Sequence, residues 1–310
     1  MHPRYRDLGD ELRRKLRAYE LKNGELPGLR SPGALGAIVH QMVDSQRKID
    51  RIKRAASRVP HEERARPQSD LFDPEFASVH HLLNGNLDEA WWLAFLSVHF
   101  GRHGTDNWDL CALIYGGLGP DPFWTWQKFS EDPAAFRPWL ESAVKSRNSP
   151  MPRFGNHRKY ESIVSETKGL AAVLESYGKM VTAFGDHLSW IQDAKERASD
   201  NPRLTFRELY NDCSQILRFG RLAKFDFLTL AEKTGLAEIE ADALYLSEAT
   251  GPKRGAKLLF HGNRNASVSN SQLESEAQAL GAALGLGMQA MEDSICNWQK
   301  SPTKINSFRG

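Results

Sequence analysis

No stretch of this 310-residue chain sustains an alternation of apolar and polar residues; its apolar residues recur three and four apart. That period is the signature of amphipathic helix, and it restricts the chain to an all-α fold. Leu35, Ile38, Val39, Met42, Ile49 and Ile52 mark one helix face, with Arg47, Lys48, Arg51 and Arg54 crowding the other. Pro32 is expected at that helix's start, where its missing N–H costs nothing. Asp88 to Ser97 reads as a strongly apolar helix with acidic residues in its first turn, where the helix dipole favours them. Pro133 to Ser146 and Gly169 to Phe184 read as helices too. The last long helix opens at Ser271, with Glu274 three residues on as a capping box. Gly281, Gly285 and Gly287 inside it suggest close helix packing. There is no internal repeat and no low-complexity tract.

The sequence also excludes several classes. No apolar run approaches the length of a membrane span. Arg4, Arg6, Asp7 and Asp10 open the chain, so no signal peptide is visible and a cytoplasmic protein is expected. Cys111, Cys213 and Cys296 are few, scattered and odd in number, which suggests reduced thiols. Without a Cys-x-x-Cys pair, neither a zinc ribbon nor an iron–sulfur cluster is expected. The formal net charge of +2 hides an asymmetry: residues 1–66 hold 16 Lys and Arg against 9 Asp and Glu. Such a basic segment fits either a polyanion partner or a solvated helix face, and charge alone favours the second. Residues 60–74 are charged and Pro-containing, with Asp70 and Asp73. They mark the expected boundary between a basic helical arm, 1–66, and a body, 67–310.

Within the body, Leu217 to Asp242 is the most informative stretch. It reads as a helix end, a tight turn through Phe219, Gly220 and Arg221, a second helix from Leu222 to Thr234, Gly235, and then Asp242. A hairpin between helices presents backbone N–H groups and a helix N-terminus, both able to hold a DNA phosphate. The layout resembles the helix-hairpin-helix DNA glycosylases, whose turn runs roughly Leu-Pro-Gly-Val-Gly with a catalytic Asp about twenty residues later. Here Gly220 stands at the last Gly and Asp242 lies 22 residues on, while Leu217-Arg218 replace Pro-Gly. Breaking an N-glycosidic bond builds positive charge on the sugar, and one preorganised carboxylate can stabilise it and orient water. The competing role for Asp242 is a helix N-cap before Ala243-Leu244-Tyr245-Leu246; the hairpin upstream puts catalysis ahead. Asp226, the rival acid, falls inside the second helix. Lyase-type members place a Schiff-base Lys just after the hairpin. Leu222 stands there, with Lys224 half a turn away, so hydrolysis without strand cleavage is expected.

Other constellations are less specific. Thr250 to Lys257 is a Gly-Pro turn into a helix start carrying Lys253 and Arg254, suited equally to a phosphate or to an ordinary capped helix. It lacks the ending of a nucleotide P-loop. Phe154 to Tyr160 is a cationic, aromatic loop in which Arg158 and Lys159 can meet phosphates. In the same loop, Asn156 and His157 can read polar edges and Tyr160 can stack on a base. Trp91, Trp92, His99 and Trp108 are candidates for a base pocket; Trp92 is better read as core. His99 and His103 have metal-pair spacing but no third ligand nearby. No metal and no cofactor are expected.

Three blocks carry a narrower resemblance: Trp91 to Gly101, Phe154 to Ser162, and Phe219 to Leu228 with Thr250 to Ala256. Together they are similar to the alpha-glutamyl/putrescinyl thymine pyrophosphorylase family, clade three, over roughly residues 33 to 300. The resemblance implies a helix-hairpin-helix glycosylase-like helical bundle with an N-terminal helical extension. It also implies an anti-phage DNA glycosylase that flips out and hydrolyses glucosylated hydroxymethylcytosine, leaving abasic sites. Its partner would be double-stranded phage DNA with modified bases, with no membrane and no obligate protein partner. Asp242 would be the acid. Phe219, Gly220, Arg221, Lys253, Arg254, Arg158 and Lys159 would hold DNA. Trp91, His99, Trp108, Asn156, His157 and Tyr160 would shape the pocket. The alternatives are a base-modifying transferase using a pyrophosphorylated hydroxymethylpyrimidine, and a non-catalytic helical DNA-binding protein.

Overall fold

A computed structural model describes residues 3–119, 123–155, 162–163 and 169–306. Among these residues there are fourteen α-helices and no strand, so the chain is all-α. In chain order the helices are α1 (Pro3–Asn23), α2 (Ala34–Ala56), α3 (Pro74–Leu83), α4 (Leu87–Phe100), α5 (Asp109–Tyr115), α6 (Trp126–Glu131) and α7 (Pro133–Ser146). They continue with α8 (Leu170–Phe184), α9 (His187–Arg197), α10 (Pro202–Asp212), α11 (Arg221–Thr234), α12 (Gly251–His261), α13 (Asn270–Leu284) and α14 (Met288–Trp298). The chain divides into two compact units, one of Met1–Ile52 with Ala241–Gly310 and one of Lys53–Glu240.

The first unit joins the two ends of the chain. Lys15 of α1 donates its ammonium to the Leu284 carbonyl at the end of α13, 3.0 Å away, where the helix dipole favours a cation. Ser45 of α2 bonds Asp293 of α14 at 2.5 Å. Helices α12 and α14 touch through their backbones: a Cβ on Gly255 would stand 2.4 Å from the Ile295 carbonyl oxygen. Gly255 is therefore a packing residue, because any side chain there would force the helices apart.

Three expectations about this unit need correction. Pro32 lies in a turn, and α2 begins two residues later at Ala34. Ser269, not Ser271, caps α13 by accepting from the Gln272 N–H, and Glu274 takes no part in a capping box. The glycines do not lie in one helix. Gly285 adopts the left-handed conformation that ends α13, and Gly287 is the N-cap of α14. A left-handed residue stops the helical hydrogen-bond ladder, and Gly takes that conformation without a Cβ penalty.

The second unit is organised by α4, which is buried nearly all round, as a helix without a polar face must be. Phe95 stacks on Tyr177 of α8 with ring centroids 3.8 Å apart, and Trp92 stacks on Phe129 of α6 at 4.8 Å. The Trp92 indole donates to the Trp124 carbonyl at 2.8 Å. The two acids at the start of α4 do more than meet the dipole. Asp88 accepts from the His187 ring at 2.5 Å and from the His187 backbone N–H at 3.1 Å. That hydrogen bond holds the Asp88 carboxyl below its ordinary range, and burial pushes His187 down. The other ring nitrogen, Nε2, lies 2.7 Å from the Tyr177 hydroxyl, so the buried His187 ring bridges Asp88 and Tyr177. Glu89 is buried and accepts from the Tyr115 hydroxyl at 2.5 Å and the Trp126 N–H at 2.7 Å.

Candidate functional site

Helices α10 and α11 are joined by a 3₁₀ turn, Cys213–Gln215, and a short loop, which together form the expected hairpin. Arg218 has φ +55°, the left-handed region, at the place where the glycosylase turn carries its first Gly. A non-glycine residue held in that conformation costs about 1 kcal/mol. Arg218→Gly is expected to leave the protein as stable or up to about 1 kcal/mol more stable, read as the midpoint of urea unfolding. Gly220 sits exposed at the helix start and, as a glycine, has no side chain with which to cap α11. The Phe219 ring is buried against Phe95 and Phe227, so its side chain belongs to the core. Two hairpin amides are already used: Leu217 N–H donates to the Ser176 hydroxyl at 2.9 Å and Phe219 N–H to the Ile216 carbonyl at 3.3 Å. Arg221 is largely buried, its guanidinium 4.9 Å from the Phe225 ring centroid. Lys224 is buried as well, donating to Ser214 at 3.1 Å above the Tyr210 ring.

Asp242, in the other unit, is 7 % exposed. It caps no regular helix: the residues after it are irregular, Tyr245 is left-handed at φ +54°, and the next turn, 3₁₀, starts at Leu246. The helix-capping role is thereby removed. Its carboxylate accepts from the Tyr245 hydroxyl at 2.6 Å. Helix α13 holds the surrounding loop. Glu274 accepts from the N–H groups of Leu244 (2.8 Å) and Leu246 (2.5 Å), and Gln278, one turn on, donates to the Asp242 carbonyl at 2.9 Å. The sequence does not reveal this clamp: Glu274 reads as a capping-box acid and Gln278 as an ordinary helix residue, 32 and 36 positions downstream of Asp242. Glu274→Ala strips two backbone donors of their acceptor. It is expected to cost about 2–3 kcal/mol, seen as a lowered unfolding midpoint.

Lys253 and Arg254 lie in the first turn of α12, whose start at Thr250 has no side-chain cap. Cations at a helix N-terminus oppose the dipole, a placement that an anion between them would reconcile.

The expected base-pocket residues separate. Trp91 is fully buried, edge-on to Trp190 and Phe227 at 5.4 and 5.3 Å. His99 is buried among Phe95, Phe100 and Phe154. Both are core, because the all-round apolar α4 leaves neither a face on solvent. His103 is placed differently: its Nδ1 accepts from the backbone N–H groups of Thr105 and Asp106. Asn156, His157, Arg158, Lys159 and Tyr160 lie outside the described residues. The root of their loop is described. Arg153 pairs with Asp106 through two guanidinium nitrogens at 3.0 and 2.7 Å, holding that carboxyl well below its usual range. Gly155 N–H donates to the Phe100 carbonyl at 2.8 Å. Gly101 and Gly155 meet backbone to backbone; a Cβ on Gly155 would come within 2.7 Å of the Gly101 carbonyl carbon. Trp108 alone of the described pocket candidates borders an opening, a cleft of about 470 Å³ lined by segments 64–73 and 102–112.

Fold and hairpin together define an all-α protein with two helices joined by a tight, exposed turn. The family is narrower: the model for alpha-glutamyl/putrescinyl thymine pyrophosphorylase clade 3 matches residues 34–310, and the chain belongs to that family. No curated protein and no solved structure is significantly similar to it. No helix among the described residues is long and apolar enough to cross a membrane.

Proposed function

We propose that the protein is a monofunctional DNA glycosylase of the cytoplasm. It flips a glucosylated hydroxymethylcytosine out of phage DNA and hydrolyses its bond to deoxyribose, which leaves abasic sites as a defence. The observation that carries the reading is Asp242: a largely buried carboxylate, relieved of any capping role, oriented by Tyr245 on a loop gripped by Glu274 and Gln278. Such a group is preorganised to stabilise developing positive charge on a sugar. The exposed turn at Gly220 and the start of α12, with Lys253 and Arg254, hold phosphates. Lys224 is engaged by Ser214 and Tyr210, which supports hydrolysis without a Schiff base. The residues 156–160 contribute DNA and base contacts.

The test compares DNA containing glucosylated hydroxymethylcytosine with the same DNA unmodified, each followed by an abasic-site nuclease. Free modified base, with cuts in the glucosylated DNA alone, is the expected result. The description of the family as a pyrophosphorylase favours a second reading, a base-modifying transferase. That enzyme would leave every glycosidic bond intact and give no cuts in either sample.

A further inference from the structure

We propose that Lys224 is a positioning residue whose unneutralised charge is held at the hairpin for a phosphate, and that the empty fold carries this charge at a loss of stability. Lys224 is 7 % exposed, and a lysine so buried is ordinarily paired with a carboxylate. Its ammonium has three N–H groups. One donates to the Ser214 hydroxyl in the turn at 3.1 Å, and the charge lies 4.2 Å from the Tyr210 ring centroid. Among the described residues no carboxylate pairs with this ammonium, and its other N–H groups have no acceptor. Asp212, the acid next to the turn in sequence, is taken by Arg197 and by the Trp190 indole. Asp226 stands about 200° round α11 from Lys224, on another side of the helix.

The surroundings add to the imbalance. Arg218 and Arg221 flank the Phe219-Gly220 pair, and no acid stands in the first turn of α11. Three cations thus gather at a helix end where the dipole is already positive, an arrangement that favours an anion. A charge this buried is little screened by water, so it acts on an anion at the turn without touching it. The opposing reading makes Lys224 a staple between α11 and the end of α10. The two readings differ in sign. Loss of a staple lowers stability, whereas loss of a buried charge that nothing neutralises raises it. The inference rests on the base-excision reading only in taking the phosphate from a DNA strand; the free ion has the same chemistry.

Urea unfolding of the full-length protein is followed at rising inorganic phosphate, against sodium chloride of equal ionic strength. The parent midpoint is expected to rise saturably with phosphate and not with chloride. Lys224→Met, which keeps a long flexible side chain and removes its charge, is expected to start at or above the parent midpoint and to lose the phosphate response. Lys224→Arg is expected to keep that response. Binding of an unmodified DNA duplex is then measured across salt concentrations. Lys224→Met is expected to bind about tenfold more weakly, with a salt slope smaller by about one, and Lys224→Arg to match the parent. A parent that answers the duplex and not the free ion takes its phosphate from a DNA strand; one that answers only the free ion takes it from solution. A parent that answers neither overturns the proposal. So does a Lys224→Met midpoint below that of the parent, or a response in either arm that survives this substitution. Duplex binding that depends on the charge at 224, without base release from glucosylated DNA, would keep the site and sink the excision reading. Base release at the parent's rate by Lys224→Met at sub-saturating DNA would do the reverse.

Discussion

In the Asp242→Asn protein, release of the modified base is expected to fall by about 10²–10³-fold while DNA binding and the unfolding midpoint stay near those of the parent. The amide is nearly isosteric with the carboxylate and still accepts from the Tyr245 hydroxyl, and Gln278 bonds the backbone carbonyl, which the substitution leaves alone. What the amide lacks is the charge that an oxocarbenium-like sugar draws on. Tyr245→Phe removes only the group that orients the carboxylate, so a smaller loss, about tenfold, is expected. Single-turnover release from glucosylated DNA measures both. A rate within a few-fold of the parent in Asp242→Asn would remove this residue from the chemistry. A large drop in unfolding midpoint would make it a structural acid.

The second large effect is on stability and comes from Glu89. Burial pushes its carboxyl up from 4.5 to about 7, against the opposing pull of its bonds from Tyr115 and Trp126. The folded state therefore holds a proton that the unfolded chain gives up. Its contribution is complete below about pH 4.5 and is lost as pH rises toward 7, on the order of 3 kcal/mol across that window. Glu89→Gln keeps a neutral side chain at every pH. Relative to the parent it is expected to gain stability steadily between pH 4.5 and 7 and to hold that gain above. Urea unfolding of the two proteins at a series of pH values measures the difference. A pH-independent gap would mean that Glu89 stays ionised in the fold. The paired measurement matters because burial lowers His187 from 6.5, and that shift contributes the opposite slope in both proteins.

Much of the fold was legible in the residues. Helix α4 could be read from its unbroken apolar run, and α7 and α8 from their periodicity, because helix-forming patterns are local. The hairpin was legible for the same reason, down to Gly235, which ends α11 in the left-handed conformation. Arg218 was harder. A bulky residue gives no sign that its backbone is left-handed, and only the closed turn between α10 and α11 imposes it. The division of one expected helix into α13 and α14 was missed because the glycines were read as packing residues when two of them are helix ends.

The sequence by itself determined the all-α class, the hairpin and Asp242 as the acid to consider. Each of these follows from spacing within a few dozen residues. Only the tertiary structure decided what surrounds that acid. Glu274 and Gln278 reach the 242–246 segment across about thirty residues of chain, and nothing in their local pattern marks them. Tertiary structure likewise sent Trp91 and His99 to the core and left Trp108 at the cleft, a choice set by which face of each element its neighbours cover. It also joined α1 and α2 to the helices at the far end of the chain. Burial and long-range hydrogen bonding are properties of the packed chain, so residue type and spacing cannot state them in advance.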